Sequence, residues 1–444
     1  MPNFFAYFML CAWPVIAYFI YRRADSVTAT FFTIVGGALL LPVNVNIDFP
    51  LIPAFDKQTI PALAALLCLI LVKKESISLL PKPKVAKLLV ITLIVSPFFT
   101  VVTNGEPYFN GAYWIQGMTL YDSVSVLMRQ YLLLLPFIIA SQLIKSQNDF
   151  YKVCKLMVIS GLFYSVLALI EVRLSPQLHT WVYGFFPHSF NQQVRFGGFR
   201  PVVFLGHGLL VGIYMFACFT AACVLWKSRI QVFKGISPVY IALYLLFCLI
   251  IFKAVGAILF GFFILALVLI GRTKLTRLST KIITFCVLFY PLLCILMIFP
   301  HEAIVNFFLA YDVDRAHSLN FRFFHETLLI QHAQDKLLFG WGSWGRNRLM
   351  GSVTDGRWII EFGQFGLLGF IAIFGLAIYS IHRILKTSIH FANAVSFSIG
   401  LFACAMSLIM VDQIVNDSLD SWVWFLLGAG YFTVVNFKQE RENR

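Results

Sequence analysis

The chain has 444 residues, of which 60% are hydrophobic and 12% charged, and its formal net charge is +14. Soluble domains carry about 25% charged residues and their cores stop growing at roughly 250–300 residues, so an ordinary soluble protein is excluded. The positive charge does not indicate nucleic-acid binding, because the lysines and arginines cluster in short loops between apolar segments. In lipid, backbone groups must be paired within the chain, and long uninterrupted apolar runs predict helices.

Thirteen apolar segments predict an all-α polytopic membrane protein with about 12–14 transmembrane helices. The segments lie at 4–20, 27–43, 59–72, 88–103, 121–144, 154–172, 200–225, 238–252, 255–270, 282–299, 359–380, 394–410 and 421–436. The first segment and the pair at 238–270 have the weakest patterns, so counts of twelve and fourteen stay open. No second soluble domain is visible, and we treat residues 1–444 as a single integral membrane domain.

Basic loops alternate with acidic or neutral ones, and the positive-inside rule assigns the basic loops to the cytoplasm. They lie at 22–23, 73–87, 145–155, 227–234, 272–281, 383–386 and 438–444. The N-terminus is then predicted outside and the C-terminus inside. All nine cysteines fall within apolar segments, which predicts neither a disulfide framework nor a metal site built from cysteine.

The longest loop on the other side spans residues 301–358. Apolar residues recur there at helical spacing over 304–311, which predicts a short amphipathic helix on the membrane surface. A second helical stretch is predicted near 320–332, and it places Arg322 and Glu326 one turn apart. The glycine-spaced run 337–345 lacks the ending of a P-loop, and we interpret it as a tight turn against the bilayer.

Arginines gather at the outer ends of the apolar segments, which is the opposite of the usual loop bias. They are Arg129, Arg173, Arg195, Arg200, Arg315, Arg322, Arg346, Arg348 and Arg357. Such a cluster suits a dianionic ligand, because guanidinium groups match phosphate oxygens bidentately. For each arginine, contact with lipid headgroups is the alternative.

Two positions stand out as candidates for chemistry. Arg200 is predicted to open a span with Pro201 in its first turn, and His207 follows two turns deeper on the same face. His207 is then either a second polar contact or a satisfied core histidine. Asp355 lies at the outer mouth of the eleventh span, where it is either a helix N-cap or a general base.

The segments 171–210 and 315–370 resemble the O-antigen polymerase and O-antigen ligase-like membrane proteins. The residues that carry this resemblance are Glu171-Val-Arg173, Arg195-Phe-Gly-Gly-Phe-Arg-Pro201, Arg322, Phe339-Gly-Trp-Gly342 and the run from Asp355 to Gly369. The resemblance implies a fold like that of class C glycosyltransferases, with 301–358 as a periplasmic loop. It also implies an inverting, metal-independent glycosyl transfer without a cofactor, at the periplasmic face of the bacterial inner (plasma) membrane.

Within that resemblance, Arg200 and Arg322 match two arginines of the family, and Asp355 falls where the ligases have a catalytic histidine. This departure favours a polymerase of undecaprenyl-pyrophosphate-linked repeat units. The alternative is a ligase that moves finished glycan to another acceptor. A transporter or flippase should show two matched halves with broken helices near mid-membrane, and the sequence shows no such symmetry.

We therefore expect Arg200 and Arg322 to stabilise the pyrophosphate leaving group and Asp355 to orient or deprotonate the acceptor hydroxyl. Further substrate contacts are expected from Arg195, Arg357, His207, Glu326 and Arg315. The pair Asp312 and Asp314 is too short a pattern to indicate a metal ion. The expected partners are lipid-linked glycans, membrane lipid, and a chain-length regulator and a flippase of the same pathway, with no nucleic acid.

Overall fold

The structure is a computed structural model that describes residues 1–48, 53–195, 197–353 and 355–432. The side chains of Arg315 and Asn393 lie outside the described part, so the predicted substrate contact of Arg315 does too.

The described residues form sixteen α-helices and two short β-hairpins. The helices are α1 (Phe4–Arg23), α2 (Ser26–Leu40), α3 (Thr59–Leu71), α4 (Lys84–Val102), α5 (Leu120–Leu143), α6 (Gln147–Leu174), α7 (Leu178–Tyr183), α8 (Gly208–Lys227), α9 (Pro238–Ile251), α10 (Val255–Ile270), α11 (Thr273–Ile295), α12 (His301–Leu309), α13 (Val313–Gln334), α14 (Arg357–Ile389), α15 (Asn393–Val415) and α16 (Ser421–Ala429). The hairpins are β1 (Tyr108–Phe109) with β2 (Trp114–Ile115), and β3 (Val194–Arg195) with β4 (Gly198–Phe199).

Eight of the described helices are long and apolar enough to cross a membrane, namely α1, α4, α5, α6, α8, α11, α14 and α15. The prediction of an all-α, multi-pass membrane protein is confirmed at this level. Four more apolar helices, α2, α3, α9 and α10, have only 13–16 residues. Each of the thirteen predicted segments contains a helix, and the number of complete spans stays a prediction.

The helices surround a buried centre formed by α8, α15 and α16. Helix α15 packs against α8, α11 and α14, and α16 packs against α5. All nine residues of α16 are buried. At the periphery, α1 and α11 present large exposed apolar side chains such as Phe19 and Phe285. Apolar side chains directed outward are expected where lipid, not water, surrounds the bundle.

Several of the described basic loops meet at one end of the bundle, which we call the basic end, and the predicted basic loop at 438–444 lies outside the described residues. Lys152 forms an ion pair with Asp25 at 3.1 Å, which joins two of these loops. The hydroxyl oxygen of Ser228 lies 2.9 and 2.8 Å from those of Tyr151 and Ser398, so it is within hydrogen-bonding distance of both. These contacts agree with the predicted grouping of the basic loops on a single side.

The opposite end, which we call the cavity end, is joined by a different set of hydrogen bonds. The side-chain amide of Asn3 donates to the carbonyl of Val182 at 2.9 Å. The ammonium of Lys57 donates to the carbonyl of Phe204, also at 2.9 Å.

The long loop contains two helices, as predicted. The first is α12, and the second, α13, is longer than the sequence pattern indicated. The glycine-spaced run that follows packs against α14, whose helical path is broken at Gly366 (φ 62°, ψ −159°). The predicted contact of this run with the bilayer stays a prediction.

This break explains the glycine spacing. The amides of Leu367 and Trp341 donate to the carbonyls of Leu337 and Gly363, each at 2.9 Å. Backbone groups released by a break in an apolar helix must find partners, and the run supplies them. Gly340 has φ 70°, and a Cβ there would lie 2.4 Å from the carbonyl carbon of Gln364.

Candidate functional site

A cavity of about 2380 Å³ opens at the cavity end. It is lined by the chain just after α2, just before α3, between α9 and α10, and between α15 and α16. Helices of 13–16 residues rise only about 20–24 Å, against a hydrocarbon core of about 30 Å, so their ends stop short and leave a recess. The predicted site residues that line it are Arg195, Arg200, His207, Arg322, Glu326 and Asp355.

Arg200 is held firmly at the wall of this cavity. Its side chain is only 8% exposed, and its Nε donates to the carbonyl of Lys253 at 3.1 Å. Burial, with a smaller contribution from nearby Arg195, lowers its pKa to about 10. The guanidinium therefore stays charged at neutral pH. Its orientation is fixed by the hydrogen bond to the carbonyl of Lys253, which lies between α9 and α10.

The segment that carries Arg200 is not helical, so the prediction that Arg200 opens a span is wrong. Helix α8 begins at Gly208, and the segment before it is tied down by the buried carboxylate of Glu171. That carboxylate accepts the amides of Val202 and Val203, each at 2.7 Å. The buried carboxylate offers these amides better partners than a helical turn would, and sequence periodicity cannot detect such a long-range bond.

His207 is the N-cap of α8 and does not lie two turns inside a helix, as the sequence suggested. Its Nδ1 accepts the amide of Leu209 at 3.1 Å, and its Nε2 lies 3.4 Å from the amide oxygen of Gln192. Burial, followed by the charges of nearby His188 and Arg200, lowers its pKa to about 4. His207 is therefore a neutral cap whose remaining ring nitrogen faces the cavity region.

Arg322 and Asp355 form a pair at the cavity. The Nε of Arg322 lies 3.7 Å from Oδ2 of Asp355, and its Nη1 donates to the carbonyl of Val415 at 3.3 Å. The two side chains are 39% and 43% exposed, and an exposed pair of this kind contributes at most about 1 kcal/mol. A charged ligand can therefore separate it at small cost. The N-cap of α14 is Gly356, so the N-cap interpretation of Asp355 is wrong.

Glu326 lies one turn beyond Arg322 and also faces the cavity. The hydroxyl of Tyr290 donates to its Oε1 at 2.6 Å. Burial raises the pKa of Glu326 to about 7, although the bond from Tyr290 opposes this change. Its carboxyl group therefore exchanges protons readily near neutral pH.

Arg357 is held by two carboxylates. It is absent from the described lining of the cavity, and its guanidinium is bound by Glu361 one turn along α14. Its Nη1 also lies 3.3 Å from Oδ1 of Asp417, which does line the cavity. Arg357 therefore neutralises the buried carboxylate of Glu361, and its predicted contact with substrate stays a prediction.

Arg346 is another outer arginine with a structural role. It is 3% exposed, and its two terminal nitrogens donate to the carbonyls of Gln116 and Glu106 at 3.0 and 3.1 Å. It fixes the first hairpin against the long loop. Of the nine outer arginines, those in the described lining of the cavity are Arg129, Arg195, Arg200, Arg322 and Arg348.

The sequence interpretation missed charged residues at the base of the site. Lys57 is 8% exposed, and burial lowers its pKa to about 8. Asp420 accepts the side-chain amide of Gln58 at 2.8 Å, and burial raises its pKa to about 6. The sequence does contain a signal for Asp420. Three aspartates lie between residues 412 and 420, at the junction of two apolar segments, and charged residues are costly in a membrane.

The lining also contains aromatic rings of the long loop. Phe308, Tyr311 and Phe321 come from α12, α13 and the link between them. Tyr311 and Phe321 are 77% and 53% exposed. Exposed rings beside cationic groups suit a ligand that carries both sugar faces and charge.

No family model matches the chain, and no curated protein matches it significantly.

Proposed function

We propose that this chain is a glycosyltransferase that polymerises undecaprenyl-pyrophosphate-linked repeat units of a surface polysaccharide. One observation carries the proposal: Arg200, Arg322 and Asp355 come from distant segments and line the same cavity. The sequence and its family resemblance predict all three as site residues. The volume of about 2380 Å³ leaves room for a pyrophosphate and several sugar rings.

The proposed reaction needs a charge clamp and a proton acceptor. A hydroxyl oxygen of the incoming unit attacks the anomeric carbon of the growing chain, and the bond from that carbon to the pyrophosphate oxygen breaks. The bonding electrons leave with undecaprenyl pyrophosphate, and Arg200 and Arg322 stabilise the added charge. A fixed donor of this kind contributes about 3–4 kcal/mol. Asp355 accepts the hydroxyl proton, and no cofactor or metal ion at the reacting atoms is required.

The two ends of the bundle support an orientation. Described basic loops meet at the end opposite the cavity, and the positive-inside rule predicts that this basic end is cytoplasmic. The cavity would then face the periplasm of a bacterial inner membrane. Because the surrounding helices are short, the pyrophosphate would enter the recess while its lipid tail stays in the bilayer.

The break in α14 would be the best support for a transporter. The break does not line the cavity. The run from Leu337 to Gly342 packs against the break and pairs with its backbone groups. Among the described helices, no second internal break with non-helical φ and ψ pairs with it. This arrangement favours an enzyme over a transporter.

A deletion strain tests the proposal and its nearest alternative. We expect surface glycan that carries only single repeat units, because transfer to the final acceptor still occurs. Long chains that remain on undecaprenol would instead indicate a ligase. An unchanged glycan profile would contradict both.

A further inference from the structure

Three potential metal ligands from three different helices meet beside the cavity. Cys294 lies at the end of α11, His301 is the first residue of α12, and Glu326 lies in α13. One sulfur, one imidazole nitrogen and one carboxylate oxygen of these residues lie within 4.8 Å of one another. The Sγ of Cys294 and the Nε2 of His301 are 4.0 Å apart.

We propose that this Cys294–His301–Glu326 cluster binds a zinc ion. Thiolate, imidazole and carboxylate together are a typical zinc donor set, whereas Mg²⁺ and Ca²⁺ take oxygen ligands. Zinc prefers four ligands in a tetrahedron. The three side chains leave one position for water, and Glu326 connects that position with the cavity.

The geometry needs only small adjustments to close around an ion. Zinc bond lengths of about 2.0–2.3 Å separate tetrahedral ligand atoms by about 3.3–3.8 Å. The distance of 4.0 Å between Sγ and Nε2 exceeds this by a few tenths of an ångström, which a small side-chain rotation removes. The ligand atoms lie within 4.8 Å of one another, so the carboxylate must move by up to about 1 Å more than the other two ligands.

Neighbouring groups already orient the ligands, as they do at known metal sites. The hydroxyl of Tyr290 donates to Oε1 of Glu326 at 2.6 Å and leaves the other oxygen for the ion. The ring of His301 packs between those of Phe299 and Phe323, with centroids 4.9 and 4.5 Å away. These contacts restrict the rotamers that the ligands can adopt.

The consequence is a link between the membrane bundle and the long loop. Arg322 lies one helical turn before Glu326, so an ion that ties α13 to α11 also fixes Arg322 against the cavity. The ion has a structural role, because it joins the two helices, and it takes no part in bond breaking. Its presence would correct the prediction that no metal site is built from cysteine, because Cys294 lies near the end of α11, where His301 and Glu326 come close to it.

Cobalt provides a direct probe, because Co²⁺ bound to a thiolate absorbs in the near ultraviolet. The full chain, purified in detergent and stripped with chelator, should bind one Co²⁺ with that absorption, and Zn²⁺ should displace it. The Cys294→Ser variant should lose the band. Cys286→Ser is the matched control, because Cys286 lies on the same helix, is exposed, and should leave the band unchanged.

A second variant keeps the test decisive if Cys294→Ser fails to fold. His301→Ala, at a half-buried position, should weaken Co²⁺ binding at least about tenfold while the wild type gains thermal stability from Zn²⁺. Absence of the band in monodisperse wild type, or its persistence in Cys294→Ser, overturns the proposal. Neither experiment involves glycan transfer. Failure of the zinc proposal is therefore distinguishable from failure of the proposed function.

Discussion

The two clamp arginines differ in how they are held. Arg200 is buried and fixed by a carbonyl, whereas Arg322 is partly exposed and shares its charge with Asp355. In the proposed reaction, the fixed guanidinium would already be oriented for the leaving group, and the exposed pair would open when substrate enters. The proposed site would therefore combine one preorganised contact with one adjustable contact.

Lysine at either position keeps the charge and loses the planar fork. We expect Arg200→Lys and Arg322→Lys to lower polymerisation of purified lipid-linked repeats by about 10²-fold each. Arg173→Lys is the control, because Arg173 is exposed and lies outside the described cavity lining, and it should behave like wild type. If both clamp variants match this control, headgroup contact is sufficient to explain these arginines.

Asp355→Asn preserves shape while removing charge and basicity. A general base contributes about 10²–10⁴-fold, so this variant should lose at least about 10²-fold in rate. Asp314→Asn changes another carboxylate of the same cavity and should retain activity. A drop of only a few-fold in the rate of Asp355→Asn would indicate that the hydroxyl proton passes to solvent or to the departing phosphate instead. Loss in Asp314→Asn, with magnesium dependence in the wild type, would indicate a catalytic metal.

At the scale of elements, the break in α14 and the run packed into it form one unit. Gly340 and Gly366 both have positive φ, and each approaches the backbone of the other segment. A side chain at either position would collide with main-chain atoms that cannot rotate away. This unit joins α13, which carries Arg322, to α14, which begins two residues after Asp355.

Gly340→Ala tests this packing against a matched glycine. Its Cβ would lie 2.4 Å from backbone, so we expect a marked fall in the thermal midpoint of the purified protein and in its accumulation in membranes. Gly351→Ala has a similar φ of 74° with nothing within 4 Å, and should cost only about 1–3 kcal/mol from backbone strain. Equal midpoints for the two variants would show that the close approach is not required.

For the whole molecule, the separation of the basic end from the cavity end would determine, under the proposed function, which compartment supplies the substrate. An ion pair and hydroxyl contacts join basic loops of the described chain at one end, and the charged cavity opens at the other. The positive-inside rule predicts that the basic end is oriented to the cytoplasm. The proposed function therefore depends on a topology that fusion reporters can measure.

A phosphatase reporter fused after Lys234 or Lys281 should be inactive, because both residues belong to basic loops predicted to be cytoplasmic. The same reporter near Gly351 should be active in the periplasm. A fluorescent protein that matures only in the cytoplasm should give the reciprocal pattern as a control. The reverse of both patterns would direct the cavity to the cytoplasm and contradict the proposed reaction.

The sequence by itself determined the helical segments and the grouping of basic loops, because length, hydropathy and charge are local properties. Together with the family resemblance, it also indicated Arg200, Arg322 and Asp355 as candidates for one proposed reaction, although it could not predict the distances among them. Tertiary structure alone decided that α8 begins at Gly208 and that Asp417 joins the local pair of Arg357 and Glu361. Both outcomes depend on partners distant in the chain.

The same limit applies to the residues that the sequence did not select. Lys57 reaches the base of the cavity because α3 is short and the segment before α8 supplies a carbonyl to its ammonium. Cys294 and His301 meet Glu326 only because α13 folds back over the end of α11. Periodicity locates each helix, but contacts between helices depend on how side chains pack and pair in three dimensions, and only the folded chain specifies those pairs.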